Sequence, residues 1–377
     1  LVQRGITTQE EAEKFFHPSL KDMHSPFLMP DMDKAVNRLN KAMGSKERIL
    51  IFGDYDVDGT TSVALVYKYL QNYYSNIDYY IPTRYDEGYG VSMRAIEEAA
   101  QQGVKLIIIL DCGIKAIDEI KYAKSLGIDF IICDHHVPDE ELPPAVAILN
   151  PKLENSTYPC QHLSGCGVGY KFMQAFSQSN GLGSAELENM LDLVAVSIAA
   201  DIVPMVDENR IMTYWGLKRL NSNPNVGLRA IIKICQLSNR DITISDVIFK
   251  IGPRINASGR MQSGREAVEL LVARDFSDAY QKAKAIDQYN RDRKELDKRI
   301  TDEANAILES QDEKIQQRKS IVIYNKDWHK GIIGIVASRL TELYYKPSVV
   351  LTLSNGLATG SSRSVQGFDI YSAVESS

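Results

Sequence analysis

The 377-residue sequence has no apolar run near the ~20 residues that a membrane-spanning helix needs. The aliphatic stretch Leu106-Ile107-Ile108-Ile109-Leu110 is strand-sized. Its five cysteines (Cys112, Cys133, Cys160, Cys166, Cys235) form no C-x-x-C pair, and an odd, scattered set favours a reducing cytosol over a disulfide framework. There is no Walker A sequence, no zinc-finger spacing and no low-complexity tract. The segment Leu163-Ser164-Gly165-Cys166-Gly167-Val168-Gly169 lacks the G-x-G-x-x-G spacing and follows no clear strand, so it reads as a close helix approach and not a dinucleotide loop. The sequence begins at Leu1 with neither Met nor an apolar leader, so no signal peptide is expected; a fragment at either end fits as well.

What is present suits a soluble globular protein with a sizeable core: 44% hydrophobic and 24% charged residues, in a chain long enough for two domains. The net charge of −6 argues against a nucleic-acid binder until it is divided. Residues 206–377 carry 26 Lys and Arg against 21 Asp and Glu, a balance of +5, while residues 1–205 carry 17 against 28, a balance of −11. Arginine is skewed likewise, 14 against 5. An acidic part beside an Arg-rich part suits a metal site facing a phosphate-binding surface.

The pattern centres on Gly53-Asp54-Tyr55-Asp56-Val57-Asp58-Gly59, which follows the buried-strand pattern Ile49–Phe52 and precedes a helix expected over Thr61–Tyr74, capped by Thr60 or Thr61. Alternate carboxylates on an extended chain share a side and repel unless a cation neutralises them. Alone, the stretch reads equally well as a solvated acidic turn. Upstream, Asp31 is expected to cap a helix running to about Met43. Downstream, strands at Ile77–Ile81, Leu106–Leu110, Ile128–Cys133 and Ala145–Leu149 alternate with helices at Ser92–Gln102 and Ile114–Leu126, which implies βαβ units and a parallel sheet. The strand exits hold Asp54, Asp56 and Asp58, then Pro82-Thr83-Arg84-Tyr85-Asp86-Glu87-Gly88, then Asp111, then Asp134-His135-His136. Such sheets bind ligands at the carboxyl ends of their strands. Asp201, closing the apolar segment Val194–Ala200, is a further candidate ligand.

Short helices are expected over 209–250, and Ile251–Met261 then reads as a break whose Arg254, Asn256 and Arg260 suit phosphate contact. Residues 278–310 form a long amphipathic helix, with Ala285, Tyr289, Leu296, Ile300, Ala304 and Ile307 on one face and Asp297-Lys298-Arg299 among its solvated charges. A second α/β unit follows: strand Ser320–Tyr324, helix Gly331–Tyr344, and strands Ser348–Thr352 and Leu357–Ser361. Its loops place His329 at a helix start and Gly360-Ser361-Ser362-Arg363-Ser364 at a strand exit.

In order and spacing, Asp54-Tyr55-Asp56-Val57-Asp58-Gly59, Asp111, Asp134-His135-His136 and Asp201 resemble the DHH phosphoesterase superfamily. Arg254–Met261, Trp328–Arg339 and Gly360–Ser364 resemble the DHHA1 domain that accompanies it in RecJ-type single-strand-specific exonucleases. The resemblance implies an α/β protein: a DHH domain with its N-terminal extension over 1–205, a helical connector over 206–310, and a DHHA1 domain over 311–377, truncated before an oligonucleotide-binding barrel. It implies Asp54, Asp56, Asp58, Asp111, His135 and Asp201 as ligands of two divalent cations, Mn²⁺ preferred and Mg²⁺ possible, with Asp111 as the bridge and His136 on the scissile phosphate. Asp54 replaces a His that some relatives carry where this chain has Phe52. Arg84, Arg254, Asn256, Arg260, His329, Ser362 and Arg363 are implied as substrate contacts across a basic cleft between the domains. The implied activity is 5′→3′ hydrolysis of single-stranded DNA to 5′-mononucleotides in repair and recombination, in the cytoplasm, beside a single-strand-binding protein and a helicase. The alternatives are a DHH phosphodiesterase for small molecules or short oligonucleotides, and an inactive nucleic-acid-binding relative.

Overall fold

The computed structural model describes residues 1–84, 87–88, 90–310 and 318–375. Tyr85 and Asp86 of the second strand exit, and the start of the expected DHHA1 domain, lie outside the described residues. The packing divides into two compact units, residues 1–259 with 263–286, and residues 260–262 with 287–377. The stretch 206–310 is shared between them.

The first unit is built on five parallel strands, β1 (Arg48–Gly53), β2 (Ile77–Tyr80), β3 (Val104–Leu110), β4 (Asp129–Cys133) and β5 (Ala147–Leu149), in the order β2-β1-β3-β4-β5. Their aliphatic runs are buried because helices cover both faces. Leu50, Phe52, Ile107, Ile109, Phe130 and Ile132 form one face with the helices Met93–Gln101 and Ile117–Ser125. By strand alternation Ile49, Ile51, Ile108 and Ile131 turn to the other, where the helices Met32–Gly44, Val57–Gln71 and Gly165–Ser179 pack. The chain leaves β1 for β2 on one side and returns to β3 on the other, so the order reverses between β1 and β3. In open α/β sheets the crevice at that reversal is where ligands bind.

Three local expectations are corrected. The helix after β1 begins at Val57, because Asp56 caps it by accepting from Gly59 N–H at 3.0 Å, a better cap than Thr60 or Thr61. Asp31 stands before the helix Met32–Gly44 with φ 60° and makes no side-chain cap; it accepts from Ile148 N–H. Residues 252–261 are helix and not a break, with Gly252, Ile255, Ala257, Ser258 and Gly259 buried. This helix follows a π-turn at Val247–Ile251 and carries Pro253 in its first turn.

The long helix spans Phe276–Ser310, with 276–286 in the first unit and the rest in the second. Its face differs from the expected one at Ala285, which is exposed, and at Asp297, which is buried and accepts from Arg339 at 2.7 Å. In the second unit β6 (Ile321–Tyr324) pairs parallel with β7 (Ser348–Ser354), which turns at Asn355-Gly356 into antiparallel β8 (Leu357–Arg363). Both turn residues have positive φ, 51° and 77°, the geometry that an Asn-Gly hairpin provides. The helix Ile333–Tyr344 closes this core through Ile333, Val336, Ala337 and Leu340.

Candidate metal centre

At the exit of β1 the backbone is packed too tightly for any residue but glycine at 59, where a Cβ would lie 2.4 Å from Asp54 O. That packing holds Asp54 buried at the sheet edge. Asp58 sits in the first turn of the next helix and does not continue an extended alternation from Asp54. Its carboxylate is held by donors: Gly165 N–H to Oδ2 at 2.7 Å, Cys166 N–H to Oδ1 at 2.8 Å and Ser197 O–H to Oδ1 at 2.7 Å. The first two belong to the start of the helix Gly165–Ser179, whose N-terminal dipole favours an anion. Gly165 is also required by Asp111, whose Cβ would lie 2.6 Å from a Cβ at 165.

Asp111 follows β3 with φ 60°, a left-handed conformation that is uncommon for a residue other than glycine and gathers at functional sites. His135 Nε2 lies 3.1 Å from Asp111 Oδ1 and 3.6 Å from both Asp58 Oδ2 and Asp201 Oδ2. Three groups of ligand atoms, each mutually within 4.8 Å, could hold a metal ion: Asp111, His135 and His136; Asp58, His135 and Asp201; Asp54, Asp56 and Asp111. Asp111 and His135 each belong to two of them. Among the described residues, Asp54 Oδ1 and both ring nitrogens of His135 are buried with no hydrogen-bond partner. Orphaned buried acceptors beside carboxylates fit a divalent cation, which takes oxygen and imidazole donors together.

The electrostatics follow. Burial, then repulsion from Asp56, pushes Asp54 up to about 7. Burial, then Asp58, pushes Asp201 up to about 7 and raises Asp56 and Asp111. Burial lowers His135, so it tends to the neutral, ligating form. His136 behaves oppositely: its Nδ1 lies 2.7 Å from Asp134 Oδ1, and that bond raises it. Burial alone would raise Asp134, but the bond to His136 and the N–H donors of His136 and Ile114 hold it low. Sequence reasoning left Asp134, Ser164, Gly165 and Ser197 out of the site. Asp134 was visible as the first letter of Asp-His-His; Ser164 was visible as an N-cap, accepting from Gly167 N–H.

The expected substrate contacts are divided between the two units. Arg84 is half-buried, with its guanidinium 4.8 Å above the Tyr55 ring and its charge acting on Asp54. Arg254 and Asn256 lie on the helix 252–261, which presses Gly259 against Tyr55 O, and Arg254 donates to Lys250 O. In the second unit Arg260 donates to Gly331 O at 3.1 Å, and burial lowers His329. Gly360–Arg363 is part of β8 and not a strand-exit loop. Alternation along β8 therefore separates Ser362 from Arg363: the guanidinium bonds Ser338 Oγ at 3.1 Å and Ser361 Oγ at 3.3 Å on the side of the helix Ile333–Tyr344, while Ser362 faces away opposite Val349.

Residues 48–198 match the model of the DHH family, N-terminal domain. The chain is 39% identical over 376 residues to the single-stranded-DNA-specific exonuclease RecJ of Bacillus subtilis, covering 99% of this chain and 47% of that protein. The RecJ of Escherichia coli is 33% identical over 391 residues, covering 99% of this chain and 66% of that one. The chain thus spans about half to two-thirds of the length of these relatives. Among solved structures, an exonuclease RecJ bound to manganese superposes with a TM-score of 0.81 at 28% identity, over 92% of this chain and 85% of that one. RecJ of Thermus thermophilus in complex with Mn²⁺ superposes with 0.82 at 26% identity, over 97% of this chain and 51% of that one. Matching these proteins along nearly its whole length and carrying the Asp-rich strand exits in its sheet, the chain contains a DHH-family N-terminal domain over residues 48–198 and resembles the RecJ exonucleases throughout.

Proposed function

We propose that this chain is the catalytic part of a single-strand-specific DNA exonuclease that works from a 5′ end and releases 5′-mononucleotides in repair and recombination, in the cytosol. One observation carries the reading: carboxylates whose pKa is raised by burial and mutual repulsion converge on a buried His135 whose nitrogens have no hydrogen-bond partner, a cluster that a bound cation would neutralise. Asp54, Asp56, Asp58, Asp111, His135 and Asp201 would hold two divalent cations, Mn²⁺ in preference to Mg²⁺, with Asp111 shared. Bound there, the cations would supply Lewis acidity and a water nucleophile at neutral pH.

The chain's own residues do the rest. Asp134 engages His136 Nδ1 and favours the imidazolium, so His136 offers Nε2–H and positive charge to a phosphate oxygen. Ser197 and the two N–H groups at the helix start fix Asp58 before any ligand arrives, as preorganisation requires. Arg84 and Arg363 are proposed donors to the strand's phosphates, with Arg254, Asn256, Arg260 and His329 as further contacts. The exonuclease activity of the RecJ relatives and the manganese in two of their structures support the same reading. The test is digestion of end-labelled single- and double-stranded DNA. Mononucleotides should leave the 5′ end of the single strand, stop with EDTA and resume with Mn²⁺. Metal-independent cleavage, or equal rates on a blunt duplex, would overturn the proposal.

A further inference from the structure

Away from the carboxylate centre, the first unit carries a ladder of alternating cations and aromatic rings along two helices. Phe276 and Tyr280 stand one turn apart on the long helix, rings 6.0 Å apart and stacked at 25°. The Arg229 guanidinium lies 4.6 Å from the Phe276 centroid, Lys233 Nζ 5.5 Å from Phe276 and 5.1 Å from Tyr280, and Lys284 Nζ 4.8 Å from Tyr280. Arg229 and Lys233 come from the helix Val226–Ile234, so both helices contribute at i, i+4 spacing. All three cations are exposed and both rings are half-buried. Among the described residues no carboxylate lies within ion-pair distance of Arg229, Lys233 or Lys284, although the neighbouring Lys282 is paired with Asp278 and Arg265 with Glu269.

A solvated helix face normally intersperses its charges with opposite partners, as Lys282 and Asp278 do. Here like charges are instead held in place by ring faces, whose quadrupoles favour the cations' positions. Four residues of helix rise about 6 Å, so the cations recur at a spacing of the order of that between phosphates on an extended strand. We propose that this ladder is a binding surface for the phosphate backbone of single-stranded DNA, separate from the metal centre, which holds a long strand while its end is hydrolysed. The proposal rests on the single-stranded-DNA reading above and adds a second place of contact to it. Backbone contact of this kind is independent of sequence and sensitive to salt.

The test is the triple variant Arg229→Glu/Lys233→Glu/Lys284→Glu, with all changes at exposed positions, compared with the unaltered chain. Fluorescence anisotropy with labelled single strands of ~6 and ~40 nucleotides, over a salt series, reads the affinity. Hydrolysis of the short strand and circular dichroism serve as controls. The variant should bind the long strand at least about tenfold more weakly, with a salt slope reduced by about 2 at ~0.7 per lost phosphate contact. Hydrolysis of the short strand should be unchanged. Equal affinity and slope for the long strand would overturn the ladder while leaving the exonuclease reading intact. Loss of binding only to a polyglutamate peptide would mark a protein-docking surface and also overturn it. Failure of the unaltered chain to bind or cut any single strand would instead refute the functional reading itself.

Discussion

Lys171 and Glu208 have fully buried side chains, yet their charges close on themselves. Lys171 Nζ lies 2.9 Å from Glu208 Oε1 and donates to His24 O at 2.6 Å, while Glu208 also accepts from His24 N–H and, at 2.6 Å, from Tyr158 O–H. The carboxylate centre lies in the same unit: Asp54, Asp58 and Asp111 are buried there, Asp56 is half-buried and Asp201 exposed, and they surround a His135 that burial keeps toward neutrality, with His136 and Arg84 as the positive charges acting on them. The first cluster is scaffold: it ties the segment around His24 to the helices Gly165–Ser179 and Asp207–Ser222. The second gathers five carboxylates against the charges of His136, Arg84 and Lys152, a surplus of negative groups. Burial alone does not separate function from structure; the charge balance of the buried group does.

The largest effect expected from this contrast is at Asp111. Asp111→Asn keeps the shape and tolerates φ 60°, but removes the carboxylate shared by two ligand groups. Hydrolysis of single-stranded DNA should fall about 10³-fold or more, since a bound cation contributes several kcal/mol to the transition state. In EDTA at pH 8 the same variant should melt at or above the temperature of the unaltered chain, because it relieves repulsion among buried carboxylates. Robust hydrolysis, or a lower melting temperature without metal, would erase the difference between the two clusters.

Lys171→Met probes the balanced side. It leaves Glu208 buried without its cation, which should cost about 3–5 kcal/mol in urea unfolding. The double variant Lys171→Met/Glu208→Gln should recover part of that loss. A cost below about 1 kcal/mol for the single variant would mean that the pair is not the scaffold described.

A smaller effect is the pH dependence of metal-induced stabilisation. Asp54 and Asp201 are raised from 3.8 to about 7, so the folded metal-free chain keeps protons that the unfolded chain gives up between those values. Stability without metal therefore falls as pH rises through about 4 to 7 and levels off above. A cation must displace those protons, so its benefit grows over the same window. The melting shift on adding Mn²⁺ should be larger at pH 8 than at pH 6. An equal or inverted shift would place the cation elsewhere.

How far these features were legible in the sequence follows from how local their causes are. The parallel sheet and its Asp-bearing exits were readable, because a short aliphatic run ending in Asp depends on few other residues. The helix start at Val57 was missed because Asp56 competes as a cap with Thr60 and Thr61, and only packing chooses. Residues 252–261 read as a break because Gly, Pro, Asn and Ser are poor helix formers. Tertiary contact overrides that propensity where Gly259 meets the backbone at Tyr55. Asp297 read as solvated because its partner Arg339 is 42 residues away in the chain. Ser197 was invisible for the same reason, lying 139 residues from the Asp58 that it supports.

The smallest effect concerns strand parity in β8, where the family resemblance implied Ser362 and the hydrogen bonds of Arg363 engage Ser361. Arg363 is exposed, so its interactions are screened by solvent and no buried balance of charge is at stake. Its guanidinium is aimed by Ser361 and Ser338, and Gly334 beneath leaves room for it: a Cβ there would lie 2.9 Å from Ser361 Oγ. If Arg363 receives a 5′-phosphate, Arg363→Ala should reduce the preference for 5′-phosphate over 5′-hydroxyl strands by about tenfold, the worth of one charge-assisted hydrogen bond. Ser361→Ala should reduce it by roughly two- to fivefold, since a neutral hydrogen bond contributes less. Ser362→Ala, on the opposite face, should leave the ratio within a factor of about two, as surface substitutions usually do. Relative rates on the two labelled strands measure all three. Equal losses from Ser361→Ala and Ser362→Ala would show that alternation along β8 does not decide which residues meet the phosphate. An unchanged ratio for Arg363→Ala would confine this arginine to holding β8 against its helix.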